Sequence, residues 1–370
     1  MKVALWITAA MIIIVSIIAT GIWFFKKQMT KEDPEYVLKF IKENTNKDRL
    51  SFSLKYNGET WAEINRDQKL PLASTVKIIV AIEYAKQAAA GKIDLQEKVS
   101  IDTLNTYYLP KTDGGAHEAW LAQYSKETNE VSINEVAEGM MAYSSNANTD
   151  YLIQKLGLDN INQVINELDL QNHESLYPLV SPLFIPKQLM NSDNLSKEEA
   201  LERLKDMEID KYKEYSIEIH NQWLSNPPTE AAKRAAIKDL DMDFQKVWSD
   251  RLPAASSADY LSIMEKLNSK TYFDPAVHEH LDPIIEQLMK NPTNSEWMKH
   301  AGQKGGSTAF VFTIAMYVTD KEGNTTELVF LANDLSTIGQ MRLAANMNSF
   351  QLAFLTEEEF RKKVKAELTQ

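Results

Sequence analysis

Strand patterns stand at both ends of this 370-residue chain, and helix-prone sequence fills the middle. Residues 50–56 alternate, with Leu50, Phe52, Leu54 and Tyr56 on one side and Ser51, Ser53 and Lys55 on the other. That period of two predicts a strand. Asn57-Gly58 is a two-residue hairpin signal, because both residue types tolerate positive φ, and residues 60–65 return as the partner strand. Far downstream, residues 310–317 and 328–333 read as strands joined through a Glu322-Gly323-Asn324 turn. Strands so distant share one sheet only if the two ends of the chain meet. The expected fold class is therefore α+β: an antiparallel sheet built from both ends, flanked by helices, with a mostly helical subdomain between.

One stretch between these ends carries chemistry. Ser74 and Lys77 stand three residues apart, just ahead of an apolar helical run over 78–90. Positions i and i+3 share a helix face. A serine hydroxyl is a weak nucleophile until a base takes its proton, and a lysine serves as that base when burial or a neighbouring cation lowers its pKa. The first turn of a helix also offers unpaired N–H groups to a developing oxyanion. By itself the pair reads more simply as an N-cap serine with a solvated lysine.

Two later stretches change the balance. They are Tyr143-Ser144-Ser145-Asn146, and Lys304-Gly305-Gly306-Ser307-Thr308, which leads into the β-rich run. With Ser74-x-x-Lys77 they reproduce, in order, the S-x-x-K, S-D-N and K-T-G set, the last two in variant form. The flanks read LPLASTVK, AAAGKIDLQEKV, MMAYSSNANTDYL and GQKGGST. Over about residues 49–186 and 252–354 the chain resembles the penicillin-recognising serine hydrolases, most of all their class A serine β-lactamase branch.

The resemblance implies a β-lactamase/transpeptidase-like fold and the following roles. Ser74 is acylated, and Lys77 is its base or the electrostatic partner of one. Ser144 relays a proton between Lys77 and the leaving nitrogen, and Asn146 holds the substrate's amide side chain. Lys304 binds a substrate carboxylate, with Gly306, Ser307 and Thr308 lining the same site. The N–H groups of Ser74 and Ser307 form the oxyanion hole. Ser145 stands where the pattern has Asp. Gly305 stands where it has Thr, removing a hydroxyl that Ser307 and Thr308 would replace. The possible deacylation base is Glu174, in the loop 172–178, although Tyr177 and Pro178 occupy the places of the leucine and asparagine in Glu-x-x-Leu-Asn. The implied substrate is a β-lactam or a cell-wall peptide. Three activities stay open: β-lactam hydrolysis, D-alanyl-D-alanine peptidase or transpeptidase action, and non-catalytic β-lactam sensing.

Composition excludes other classes. A net charge of −12 without a basic stripe argues against nucleic acid. Absence of cysteine removes disulfides and thiolate chemistry. The six histidines form no metal triad; His278 and His280 read as a solvated pair. No nucleotide loop is present, and neither metal nor cofactor is expected.

Residues 3–25 carry no charge and are long enough to span a bilayer. Residues 1–27 are thus expected to be an N-terminal membrane anchor with an extracytoplasmic catalytic domain, or else a cleaved signal segment of a secreted one. The placement outside follows from the resemblance; Lys26 and Lys27 after the span oppose it. Residues 28–47 read as a linker passing into a first helix, 48–355 as the catalytic domain, and 356–370 as a charged tail. Residues 187–250 have no counterpart in the resemblance and read as a helical insertion, either solvated or a partner-binding arm. Tyr107, Tyr108 and Trp120 read as cleft-lining or core residues.

Overall fold

The computed structural model describes residues 32–369. The segment expected to be an anchor or signal lies outside them, and among the described residues no helix is long and apolar enough to cross a membrane. Among the described residues two compact units form: residues 45–335, and a smaller unit joining residues 32–44 with residues 336–369.

The larger unit holds nine strands: β1 (Leu50–Tyr56), β2 (Glu59–Ile64), β3 (Leu70–Pro71), β4 (Lys98–Ser100), β5 (Glu130–Ser132), β6 (Ala254–Ala255), β7 (Met298–Ser307), β8 (Phe312–Asp320) and β9 (Thr325–Ala332). Five of them make an antiparallel sheet in the order β2-β1-β9-β8-β7, so both ends of the unit do contribute to one sheet. The Asn57-Gly58 turn has φ of 52° and 76°, as a two-residue hairpin turn with positive φ at both central residues requires. In register, Phe52 faces Phe330 and Leu54 faces Leu328.

The alternation in β1 marks two buried faces rather than one. Ser51 and Ser53 are buried, and both hydroxyls lie 2.8 Å from Ser257 Oγ at the start of the helix Ser257–Ser269. Small hydroxyl side chains let that helix sit close while satisfying each other's polar atoms. Ser256 and Asp259 begin the helix with a reciprocal capping box.

The helix Lys77–Ala89 is mostly apolar, and residues 78–82 are fully buried. Such a helix belongs in the interior. It packs against the helices Asn146–Leu156, Leu158–Glu167 and Pro275–Ile285. Trp120 belongs to this core, and Tyr107 to a second one.

The insertion is not a solvated elaboration but packs on the rest of the unit. Its helices Ile185–Ser192, Lys197–Lys205, Ile209–Ser225, Glu230–Asp239 and Met242–Asp250 bury Leu204, Tyr212, Trp223 and Phe244 in that second core. Tyr107, Leu109, Ala147, Tyr177 and Val180 of the catalytic body share it. Each large apolar side chain so buried contributes roughly 1.5–3 kcal/mol, so the insertion is built into the unit. His278, expected to be solvated, is also buried, with Nδ1 3.1 Å from Asp282.

In the smaller unit the helix Pro34–Glu43 packs against Thr337–Thr356. Asp33 caps the former, and its N–H donates to Asn346 Oδ1 at 2.6 Å. The expected charged tail is instead the helix Glu358–Leu368, whose Phe360, Val364 and Leu368 are buried at helical spacing. Its high charge masked that apolar stripe in the sequence.

Candidate active site

Strand β3 pairs with β6, and Leu72 N–H donates to Pro253 O at 3.0 Å, anchoring the chain just before Ser74. The turn Ala73–Val76 follows, with Ala73 at a φ of +45° that a residue with a Cβ adopts only under constraint. Ala73, Thr75 and Val76 are buried, while Ser74 is partly open. Thr75 Oγ1 and Thr313 Oγ1 are 2.8 Å apart, and Thr313 Oγ1 donates to Leu72 O at 2.8 Å, bolting the turn to β8. On the other side a Cβ built on Gly306 would stand 2.5 Å from Ser74 N. The end of β7 therefore lies directly against the Ser74 backbone nitrogen. Ser307, at the strand end, is exposed.

Ser144 ends a π turn, Gly139–Tyr143, and takes a left-handed φ of +72°. The conformation aims both its carbonyl and its hydroxyl at Lys77: Lys77 Nζ donates to Ser144 O at 2.6 Å and lies 3.3 Å from Ser144 Oγ. It also donates to Asn146 Oδ1 at 2.8 Å. Lys304 Nζ reaches Ser144 Oγ from the opposite side at 3.0 Å and Gly305 O at 2.9 Å. Ser74, Lys77, Ser144, Asn146, Lys304 and Gly306 are thus brought together.

Both lysines are buried. Burial, then the Lys304 charge, holds the Lys77 amine well below the usual lysine range, against the pull of Asp113 and Asp150. Burial lowers Lys304 to about 8. A neutral amine keeps two N–H bonds and one lone pair. Lys77 has two close acceptors, Ser144 O and Asn146 Oδ1, and a longer contact to Ser144 Oγ, and in the neutral form that burial favours its lone pair would be able to take a proton.

Thr308 and Glu174 are not drawn into this cluster. The Thr308 hydroxyl accepts from Phe310 N and Val311 N, both at 3.1 Å, and so shapes the β7–β8 turn. Glu174 Oε1 accepts from Lys69 Nζ at 3.1 Å, and Oε2 accepts from Ala254 N at 3.4 Å. Its loop is pinned to β6 through Glu174 N to Ala254 O at 2.8 Å.

Two carboxylates near Lys77 escaped the sequence reading. Asp150 is fully buried and accepts from Leu179 N at 2.8 Å and Val180 N at 2.9 Å. Burial raises it to about 7, with those two N–H bonds and Lys77 opposing. Its signal was the four-residue spacing from Asn146, which puts both on one helix face. Asp113 accepts from the N–H groups of Gly115, Ala116 and His117 at 3.2 Å and from Asn146 N at 3.5 Å. Burial raises its pKa, while the Asn146 N–H and Lys77 oppose that rise. In the sequence it was one more residue of a glycine-rich turn. Among the described residues no group of three or more His, Asp or Glu is placed to hold a metal.

A family model described as the β-lactamase enzyme family matches residues 34–283. Lys304 lies beyond that match, and its place in the site rests on the geometry above. No curated protein matches the chain. Among solved structures, a β-lactamase from Chitinophaga pinensis DSM 2588 is 14% identical, with a TM-score of 0.53 over 86% of this chain and 99% of that one. A β-lactamase from Sphaerobacter thermophilus DSM 20745 is 17% identical, with a TM-score of 0.51 over 83% of this chain and 92% of that one. At such identities the likeness is one of fold.

Proposed function

The chain belongs to the β-lactamase enzyme family and is a serine hydrolase of that type, and we propose that Ser74 is its acylated nucleophile with Lys77 as the base. The observation that carries this reading is the Lys77 amine, buried, held by Ser144 and Asn146, and lowered in pKa by burial and by the Lys304 charge. Lys77 takes the Ser74 proton as Oγ attacks the amide carbonyl. The N–H groups of Ser74 and Ser307 receive the oxyanion, an interaction whose loss costs a few kcal/mol of barrier. Ser144, bridging Lys77 and Lys304, passes a proton to the leaving nitrogen. Lys304, with Ser307, receives a substrate carboxylate, and the Asn146 NH₂ group holds the acyl amide. The substrates are β-lactams or related amides of cell-wall peptides.

The fate of the acyl-enzyme is a separate matter. Glu174 is the one carboxylate in residues 172–184, and Lys69 and Ala254 occupy it. That favours a second reading in which deacylation is slow and the protein acts as a penicillin-binding D-alanyl peptidase. The catalytic unit would work outside the cytoplasmic membrane, held there by residues 1–27; cell fractionation of the full chain tests this.

The test is incubation with a labelled penicillin, followed by intact-mass measurement over time. The expected result is one ligand mass added to the wild type and none to Ser74→Ala. An adduct on Ser74→Ala, or none on the wild type, overturns the proposal.

A further inference from the structure

Ser145 lies between the two residues that hold the Lys77 amine, and it has no access to solvent. Its hydroxyl accepts from Asn148 N at 3.1 Å, which caps the helix Asn146–Leu156. Capping needs only a lone pair, so the hydroxyl proton has a second use. His117 Nδ1 stands 2.9 Å from Ser145 Oγ, and His117 Nε2 stands 3.1 Å from Asn105 Oδ1. The ring is fully buried, and burial lowers its pKa to about 4, so it is a neutral imidazole with one N–H and one lone pair. With Nε2–H donating to the Asn105 carbonyl oxygen, Nδ1 is left to accept the Ser145 proton. Both ends of the ring are then satisfied in a single tautomer. The same hydroxyl is also within donating distance of Asn148 Oδ1 at 3.1 Å, so its proton is shared between that oxygen and the closer Nδ1.

Asn105 is itself held from the insertion. Lys233, on the helix Glu230–Asp239, is buried and donates its amine to the Asn105 backbone carbonyl at 2.7 Å. That carbonyl lies in the last turn of the helix Ile101–Thr106, where a cation is favoured. The amine's second partner is Glu230, at 3.0 Å on the same helix. A buried ammonium is costly unless its partners are fixed. Nothing within the insertion requires this one to reach across to the catalytic body.

We propose that the inserted helices position the Lys77 amine through a line of side chains: Lys233 fixes Asn105, Asn105 fixes His117, and His117 fixes Ser145 between Ser144 and Asn146. His117 and Lys233 are positioning residues and touch no substrate. The proposal rests on the reading of Ser74 and Lys77 given above, and it assigns the insertion a catalytic purpose that its packing alone does not.

The experiment measures acylation by a labelled penicillin over a range of concentrations, using the full chain as wild type, His117→Leu, His117→Gln, Lys233→Met and the His117→Leu/Lys233→Met double variant, with thermal melting alongside. Misplacing a base by a fraction of an ångström lowers the limiting rate rather than capture. The expected result for His117→Leu is a limiting rate down by about ten-fold or more, with the half-saturating concentration within two-fold of wild type. His117→Gln, which still offers a donor and an acceptor, recovers most of the rate. Lys233→Met moves the rate the same way by less, and the double variant is no slower than His117→Leu. If both single variants melt cooperatively and acylate at the wild-type rate, the proposal is overturned. It is equally overturned if Gln is as slow as Leu, or if the two losses multiply. Should His117→Leu fail to fold, Lys233→Met decides alone, since methionine keeps the buried stem. Failure of the wild type itself to acylate would instead remove the proposed function.

Discussion

Gly306 and Ser74 approach so closely that a Cβ on the glycine would stand 2.5 Å from the serine nitrogen. The same Cβ would stand 2.7 Å from Leu72 O and 2.8 Å from Thr313 Oγ1. Two of these are backbone atoms and cannot swing away. Gly306→Ala must therefore push β7 off the Ser74 turn and, on the proposed function, spoil the space for an oxyanion. The expected loss of acylation is about 100-fold or more, read from the rate of penicillin adduct formation. Gly305 is different, because a Cβ there meets Ile314 Cδ1 and Thr313 O at 3.4 Å. Gly305→Thr should fold, acylate and capture carboxylate-bearing penicillins at lower concentration. Equal damage from both substitutions would contradict the geometry.

Lys77 and Lys304 both contact Ser144, yet removal of each should read differently. Lys77→Ala takes away the proposed base and should lower the limiting acylation rate by roughly 10²–10⁴-fold. Lys304→Ala should chiefly raise the half-saturating concentration. The same division predicts a pH effect. Lys304 is charged below its pKa of about 8 and neutral above it, so carboxylate capture is present at pH 7 and fades as pH rises through 8. By pH 9 the half-saturating concentration should be up by about ten-fold. This alkaline rise should be absent in Lys304→Ala.

Glu174 is bound by Lys69 in an ion pair open to solvent on both sides. Glu174→Gln should leave the lifetime of the penicillin adduct within two-fold of wild type and cost at most about 1 kcal/mol of stability. Mass spectra collected after free penicillin is removed decide the matter. An adduct that decays in the wild type and persists in the variant would restore this residue as the deacylation base.

His220, on the inserted helix Ile209–Ser225, is buried against Tyr107 with ring centroids 5.1 Å apart. Among the described residues neither ring nitrogen has a partner. Burial lowers its pKa from 6.5 to about 4, so the unfolded chain takes up a proton that the folded chain refuses. Stability is fully present above about pH 6.5 and falls as pH drops towards 4, by up to about 3 kcal/mol. His220→Phe should be more resistant to urea than wild type at pH 5, with little difference at pH 8. His117 titrates in the same sense, so part of the acid sensitivity should remain in the variant.

Local pattern determined a good deal. The alternation in 50–56, the Asn57-Gly58 turn and the apolar run after Ser74 each act within a few residues, and each forms where the sequence places it. The three motifs likewise named six residues that meet in space. What folding decided is everything that depends on residues far apart. β7 (MKHAGQKGGS) has little strand propensity of its own and exists because it pairs with β8. Asp150, one polar residue among many on its helix, acquires its role only when the N–H groups of Leu179 and Val180 arrive against it. Glu174 stood in the right loop, but Lys69, 105 residues away in sequence, captured it. The insertion's charged sequence suggested solvent until its apolar stripe found Tyr107 and Tyr177. Propensity and spacing are properties of neighbours along the chain. Burial, a lowered lysine pKa and the partner of a carboxylate are properties of neighbours across it, and they exist only once the chain has closed.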